Sequence, residues 1–263
     1  MTDYSSNPMK FSEGGPDNLL RFIDVGGAGG IQPKWYAHAD QIFPVLFEPN
    51  PAEAGKLQNA LRDRFPHALV LEKALSHVSG ARNLNITRHW GCASFLKPNE
   101  TVLNKYRIAP LFDVMGSTSV DCVRYDTLHN QGLAPPPDAI KIDVQGFEYE
   151  VLQGFGGLLQ DCLGIELETH VYPLYNNQKL LHHLIEFLSD FGFVLRRANP
   201  ILSFDGDIVE FDVWFTKDIE VWRKLSQTQR QKFSLICRAW DLIDYSRIDP
   251  AAKHNEILPV ASE

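Results

Sequence analysis

The chain has 263 residues with 44% hydrophobic and 22% charged content, which is enough apolar material for a sizeable core and argues against wholesale disorder. Its net charge of -8 speaks against a nucleic-acid footprint, which is normally basic. The four cysteines, Cys92, Cys122, Cys162 and Cys237, have neither CxxC nor Cys/His spacing, so free thiols are expected rather than a zinc site or a disulfide framework.

In chain order, "MTDYSSNPMKFSEGG" shows no basic-then-apolar leader pattern, and residues 1–20 read as a lead-in. "RFIDV" then gives a buried strand that runs into Gly26, Gly27, Ala28, Gly29 and Gly30, a turn with almost no side chains. A second strand, "VLFE", ends at Glu48. Behind "NP", Ala54, Leu57, Ala60, Leu61 and Phe65 recur at helical spacing over Pro51 to Phe65. "LVLEKAL", Leu69 to Leu75, reads as a third strand. From 81 to 123 the pattern loosens into polar, short β-like pieces, read as an insertion or lid. "AIKIDV" and "LGIELE" are the fourth and fifth strands. An amphipathic helix over Leu180 to Phe191 and two closing strands, "FGFVLRRA" and "VEFDVWFTK", follow, the last alternating as an antiparallel strand would.

This rhythm predicts an α/β chain with βαβ units: a nucleotide-type domain over 21–218 and a C-terminal helical extension over 219–263. In the extension, Phe233, Ile236, Cys237 and Trp240 form an apolar stripe for the domain or for a partner chain, which leaves a homo-oligomer open. The basic residues there, Lys232 among them, read as a solvated face. No stretch approaches the length of a membrane span, and a cytoplasmic protein is expected.

The glycine turn does not fit GxGxxG: counted from Gly27 the third glycine falls on Gln32, and counted from Gly26 the second falls on Ala28. Asp24, Gly26 and Gly30 fit instead the acidic residue and two glycines that open class I methyltransferases. A carboxylate at the end of the second strand, here Glu48, can accept two ribose hydroxyls in these enzymes and in dinucleotide enzymes alike. "IKIDVQGFEYEVLQGF" from Ile140 and "GIELETH" from Gly164, together with "FIDVGGAGG" and "FEPNP", resemble the FkbM-type methyltransferase family. Gln145 stands where that family usually has glutamate.

The resemblance implies a Rossmann-like seven-stranded sheet with one antiparallel strand, and S-adenosylmethionine as cofactor. It implies that Asp24, Gly26, Gly27 and Gly30 shape the pocket for the methionine end, that Glu48 holds the ribose, and that Ala74 and Leu75 lie on the adenine side. Asp143 would face the place where cofactor and acceptor meet. The acceptor implied is a hydroxyl of a sugar, glycan or related metabolite. A nicotinamide-dependent oxidoreductase or epimerase and a non-catalytic cofactor-binding module stand as alternatives.

From the residues themselves, Lys141 and Asp143 share one strand face, and a buried lysine there needs Asp24, Glu166 or Glu168 as partner. Asp143, Glu168 and His170 are the titratable groups at strand ends. His170 is the first choice for the base that takes the hydroxyl proton. The same three could hold a divalent cation that acidifies the hydroxyl, though no metal-binding spacing marks them. Tyr172, Tyr175 and "HWGCASF", with Trp90, Ser94 and Phe95, offer aromatic faces and hydroxyls to a carbohydrate, with core packing as the plainer role.

Overall fold

The computed structural model describes residues 18–27 and 29–249. The expected lead-in, Ala28 and the end of the extension therefore lie largely or wholly outside the described residues.

Among the described residues, ten strands and seven α-helices follow one another: β1 Leu20–Val25, β2 Ile42–Phe47, α1 Pro51–Leu61, β3 Leu69–Leu71, β4 Ala74–Leu75, β5 Gly80–Thr87, α2 Glu100–Leu103, β6 Val114–Val123, α3 Tyr125–Asn130, β7 Ala139–Ile142, α4 Glu148–Phe155, β8 Gly164–His170, α5 Leu181–Ser189, β9 Phe193–Ile201, β10 Glu210–Lys217, α6 Ile219–Trp222 and α7 Gln227–Ala239. Seven strands form one sheet in the order β3-β2-β1-β7-β8-β10-β9. β10 runs antiparallel to both its neighbours, β8 and β9, and the remaining pairings are parallel.

The alternation of side chains divides the core in two. Ile23, Val25, Ile140, Ile142, Ile165 and Leu167 belong to one cluster with Val151, Leu152, Phe155, Leu184 and Leu188 from α4 and α5. Leu20, Phe22, Ala139 and Trp214 belong to the other, with Trp35 and the α7 residues Phe233, Ile236 and Cys237. The apolar stripe of the C-terminal helix is therefore spent on this chain's own sheet and is not left for a partner chain. Gly164 is the seat of that packing: a Cβ there would lie 2.6 Å from the Trp240 ring. Lys232, expected on a solvated face, is 8% exposed; its Nζ stands 2.7 Å from Asp138 Oδ2, and Arg21 NH2 stands 2.6 Å from Oδ1. That ion triad ties α7 to β1 and the start of β7.

The helix behind Glu48 forms as expected. Asn50 accepts from the Ala52 and Glu53 amides, and Pro51 takes the first helical position, where no amide is needed. Two expectations change. "LVLEKAL" is not one strand: Lys73 N–H donates to Leu71 O at 2.8 Å, a tight turn that takes the chain out of the main sheet after Leu71. Residues 81–123, expected as an insertion or lid of short β-like pieces, are more regular than that: β5 and β6 pair along their length and β6 also takes β4, making a separate three-stranded sheet. Sequence periodicity is weak there because β6 is exposed from Val114 to Ser119 and has no buried face to mark.

Candidate active site

The glycine turn is shaped by close approach rather than by flexibility. Gly26 has φ +81, and a Cβ there would lie 1.9 Å from the carbonyl oxygen of Asp143, whose amide donates to Val25 O at 3.0 Å. No other residue fits between the tips of β1 and β7. Gly27 N–H is 3.4 Å from Phe47 O, Gly30 N–H donates to Gly27 O at 2.8 Å, and Gly30 lies over Leu57.

Beneath the turn, the register sets Asp24, Lys141 and Glu166 side by side on the α7 face. Lys141 Nζ is 3.5 Å from Asp24 Oδ1 and 3.4 Å from Asp143 Oδ2, and Lys34 reaches Glu166 Oε1 at 2.5 Å. Burial alone would lower the Lys141 pKa, but the carboxylates of Asp24, Asp143 and Glu166 outweigh it and hold the ammonium above its ordinary value. Asp24 is 1% exposed, with its Oδ1 toward Lys141.

Glu48 ends β2 with one carboxylate oxygen accepting the Asn50 amide at 2.8 Å; among the described residues nothing donates to the other. Burial raises its pKa, partly offset by that amide. A half-used carboxylate beside a bare glycine turn suits a ribose. The expected adenine contacts sit differently: Leu75 is part of the main buried cluster and Ala74 is 7% exposed, so little side-chain surface is offered there.

At the carboxyl ends of β7 and β8, Gln145, with φ +56, donates from Nε2 to Asp143 Oδ1 at 3.3 Å and to Glu168 Oε1, while its own oxygen accepts from Tyr175 Oη at 3.0 Å. Neutral glutamine is thus a donor to two carboxyl groups, a job an ionised glutamate could not do here. Burial, then Asp143, Glu210 and Glu148, push Glu168 up to about 10. Burial likewise pushes Glu148 up to about 8, although the Gly146 and Val144 amides donate to it.

His170 is fully buried. Gln178 Oε1 accepts the Tyr175 amide at 3.2 Å, which orients its amide so that Nε2 donates to His170 Nδ1 at 2.7 Å. The proton is thereby assigned to His170 Nε2, 3.3 Å from Glu210 Oε1. Both ring nitrogens of His170 are thus engaged, and it has no exposed surface, so it is less open to an acceptor hydroxyl than Asp143.

Glu168, His170 and Glu210 offer ligand atoms within 4.8 Å of one another, so the group that could hold a cation has Glu210 where the sequence suggested Asp143. His170 could ligate through Nε2 only if its proton moved to Nδ1 and the Gln178 amide turned over. Glu210 was not marked by sequence reading. Its signal lay in register: β10 opens opposite the end of β8, pairing Glu210 with His170 and Asp212 with Glu168. Of the aromatics expected at a carbohydrate site, Tyr175 is buried and Tyr172 and Trp90 are 48% and 67% exposed.

The strand order, the single antiparallel strand and a crevice at the carboxyl ends of β1, β7 and β8 define a class I methyltransferase fold. Residues 33–195 match the model of the methyltransferase FkbM domain, and the chain belongs to that family of S-adenosylmethionine-dependent methyltransferases. It is similar to the hexuronic acid methyltransferase AglP of Haloferax volcanii, with 29% identity over 187 residues, 67% of this chain and 70% of that one. Among solved structures it overlaps the magnesium protoporphyrin IX methyltransferase of Synechocystis PCC 6803 with bound SAM, at 10% identity, 76% of this chain, 71% of that chain and a TM-score of 0.40. The precorrin-6y C5,15-methyltransferase of Geobacter metallireducens overlaps at 12% identity, 76% and 81% coverage and a TM-score of 0.38. These overlaps are loose, and the strand order carries the fold assignment. No helix among the described residues is long and apolar enough to cross a membrane.

Proposed function

We propose that this chain transfers a methyl group from S-adenosylmethionine to a hydroxyl of a sugar or glycan. The observation that carries the reading is the meeting of Asp143, Gln145 and Glu168 at adjacent strand ends, against the glycine turn that Gly26 makes possible. The name of the Haloferax volcanii relative supports the sugar class.

S-adenosylmethionine supplies an electrophilic methyl carbon on a sulfonium. Gly26, Gly27 and Gly30 leave backbone bare for its amino-acid end, and the free oxygen of Glu48 accepts a ribose hydroxyl. Ala74 and Leu75 lend their backbone to the adenine side. The acceptor oxygen must be aligned with that carbon and lose its proton as charge develops. Asp143 is the base in this reading: its side chain is 35% exposed where Asp24 and His170 are buried, and Lys141 and Gln145 hold it. Glu168, its pKa raised chiefly by burial, holds Gln145; His170 holds Glu210. A divalent cation on Glu168, His170 and Glu210 is the second reading, favoured by their mutual distances.

The experiment is incubation with methyl-labelled cofactor and neutral and acidic glycans, for wild type, Asp143→Asn, His170→Ala and chelated enzyme. Asp143→Asn is expected to lower turnover about 10²- to 10⁴-fold with cofactor affinity retained. Full turnover in Asp143→Asn, with loss on chelation restored by magnesium or manganese, transfers the role to the cation. Label on no hydroxyl in any fraction overturns both.

A further inference from the structure

The sheet made by β4, β5 and β6 opens on a cavity of about 630 Å³ lined by Asn83, Asn85, Phe95, Lys97, Met115 and Ser117, among others. The register explains the lining. Asn83 lies opposite Ser119 and Asn85 opposite Ser117, so amides and hydroxyls share one face. The far wall comes from the segment after Cys92. Asn85 pairs with Ser94 through the backbone, its Nδ2 donates to Ser94 O and Leu96 O at 3.0 Å each, and the Asn176 amide donates to Lys97 O at 2.8 Å. The wall is thus fixed at both ends, on β5 and on the loop after β8.

Lys97 is exposed, is the sole charged side chain in the lining, and has no carboxylate partner among the described residues. Phe95 turns its ring toward Phe147, 5.2 Å between centroids, and Phe147 directly follows the Gln145–Gly146 turn of the crevice. The cavity therefore adjoins the crevice with Phe95 and Phe147 between them.

The size suits a small ligand, and the mixture of side-chain amides, a hydroxyl, an aromatic face and one cation suits a sugar ring with a negative substituent. The strand-end site has no such lining: it gathers the acids Asp143, Glu168 and Glu210 with the buried Glu148. Within the cavity, Lys97 is the opposite charge that an acidic sugar can meet. We propose that this cavity is a second acceptor subsite, in which Lys97 pairs with the carboxylate of a uronic-acid residue and Phe95 packs on its ring, while the neighbouring residue of the same chain offers its hydroxyl to the crevice. The proposal rests on the reading of a sugar hydroxyl as acceptor, and makes that acceptor an oligosaccharide rather than a free monosaccharide.

The test uses the full chain and an array of uronic-acid tetrasaccharides, built from galacturonate, mannuronate, or glucuronate alternating with N-acetylglucosamine. Each is printed beside its carboxyl-reduced counterpart. Wild type should prefer the carboxylated member of at least one pair tenfold or more. Lys97→Ala should lose about ten- to a hundredfold in affinity for it, the range of one charge-assisted hydrogen bond, and Lys97→Arg should retain most of it. Ser117→Trp, which fills the cavity from an exposed strand, should weaken both members. S-adenosylhomocysteine affinity, measured by calorimetry, should be unchanged in all three variants. Equal binding of carboxylated and reduced members, an unchanged preference in Lys97→Ala, or no bound tetrasaccharide overturns the subsite. Labelled methyl transfer separates the two readings: label on a neutral sugar hydroxyl without carboxylate preference overturns the subsite alone, whereas label on a non-sugar acceptor overturns the sugar reading as well.

Discussion

Replacing Gly26 by alanine tests the junction on which the cofactor side of the site rests. The added Cβ would stand 1.9 Å from the Asp143 carbonyl oxygen, where ordinary contact begins at 3.4 Å, so one of the two backbones must retreat by more than an ångström. Left-handed backbone costs an alanine about 1 to 2 kcal/mol. Retreat of Asp143 breaks its 3.0 Å amide bond to Val25 O, roughly 1 kcal/mol, and overpacking adds about 1 to 3 kcal/mol. A loss of about 3 to 6 kcal/mol follows from those three contributions. Gly29 is the internal control, since it also has positive φ, +98, but nothing lies within 4 Å of its Cβ position. Gly29→Ala should lose only the conformational part, about 1 to 2 kcal/mol. Denaturant unfolding of both variants gives the difference, and calorimetry with S-adenosylhomocysteine should show at least a tenfold weaker affinity for Gly26→Ala among molecules that fold. Stabilities of the two variants within about 0.5 kcal/mol of each other would refute the reasoning, because the clash would then cost nothing.

Asp138→Asn should destabilise by about 3 kcal/mol by leaving the buried Lys232 unmatched beside Arg21, and Lys232→Met in the same chain should restore much of it; additivity of the two losses in a double-mutant cycle would dissolve the triad. Lys217, 1% exposed and lowered to about 8 by burial, donates to Leu159 O and Phe191 O. Its unfolded state binds the proton more tightly, so stability rises with pH from about 8 toward 10.5; relative to Lys217→Met, wild type should gain about 1 kcal/mol between pH 7 and pH 9. Glu148, raised to about 8, works in the opposite sense. Its contribution is present below the unfolded carboxylate range and is lost as pH climbs toward 8, so Glu148→Gln should flatten the fall in stability between pH 5 and 8 by about 2 kcal/mol or more, and identical profiles would exclude the buried acid.

How much of this was legible in the sequence follows from burial. The strands with a packed face on each side, β1, β7 and β8, read as apolar runs, and the alternation that put Lys141 with Asp143 also put Asp24 and Glu166 within its reach. The β5–β6 ribbon was read as a loose insertion because a strand exposed on both faces carries no period-two signal. Glu168 and Asp143 were found as strand-end acids. Glu210 was missed because its partnership with His170 depends on register across an antiparallel pair separated by 40 residues. That both ring nitrogens of His170 are engaged depends in part on Gln178, whose amide orientation no spacing in the sequence encodes.

The reversal of β10 has a consequence for how such chains diversify. Because β10 runs against β8, its first residue rather than its last arrives at the crevice, and Glu210 comes with the turn that precedes it. Glu210 lies beyond residue 195, where the match to the family ends. One wall of the acid cluster is therefore contributed by a stretch outside the family's defining segment. Substitutions or length changes between β9 and β10 can retune the chemistry next to Glu168 while the glycine turn, the lysine row and the β7–β8 motifs stay as they are.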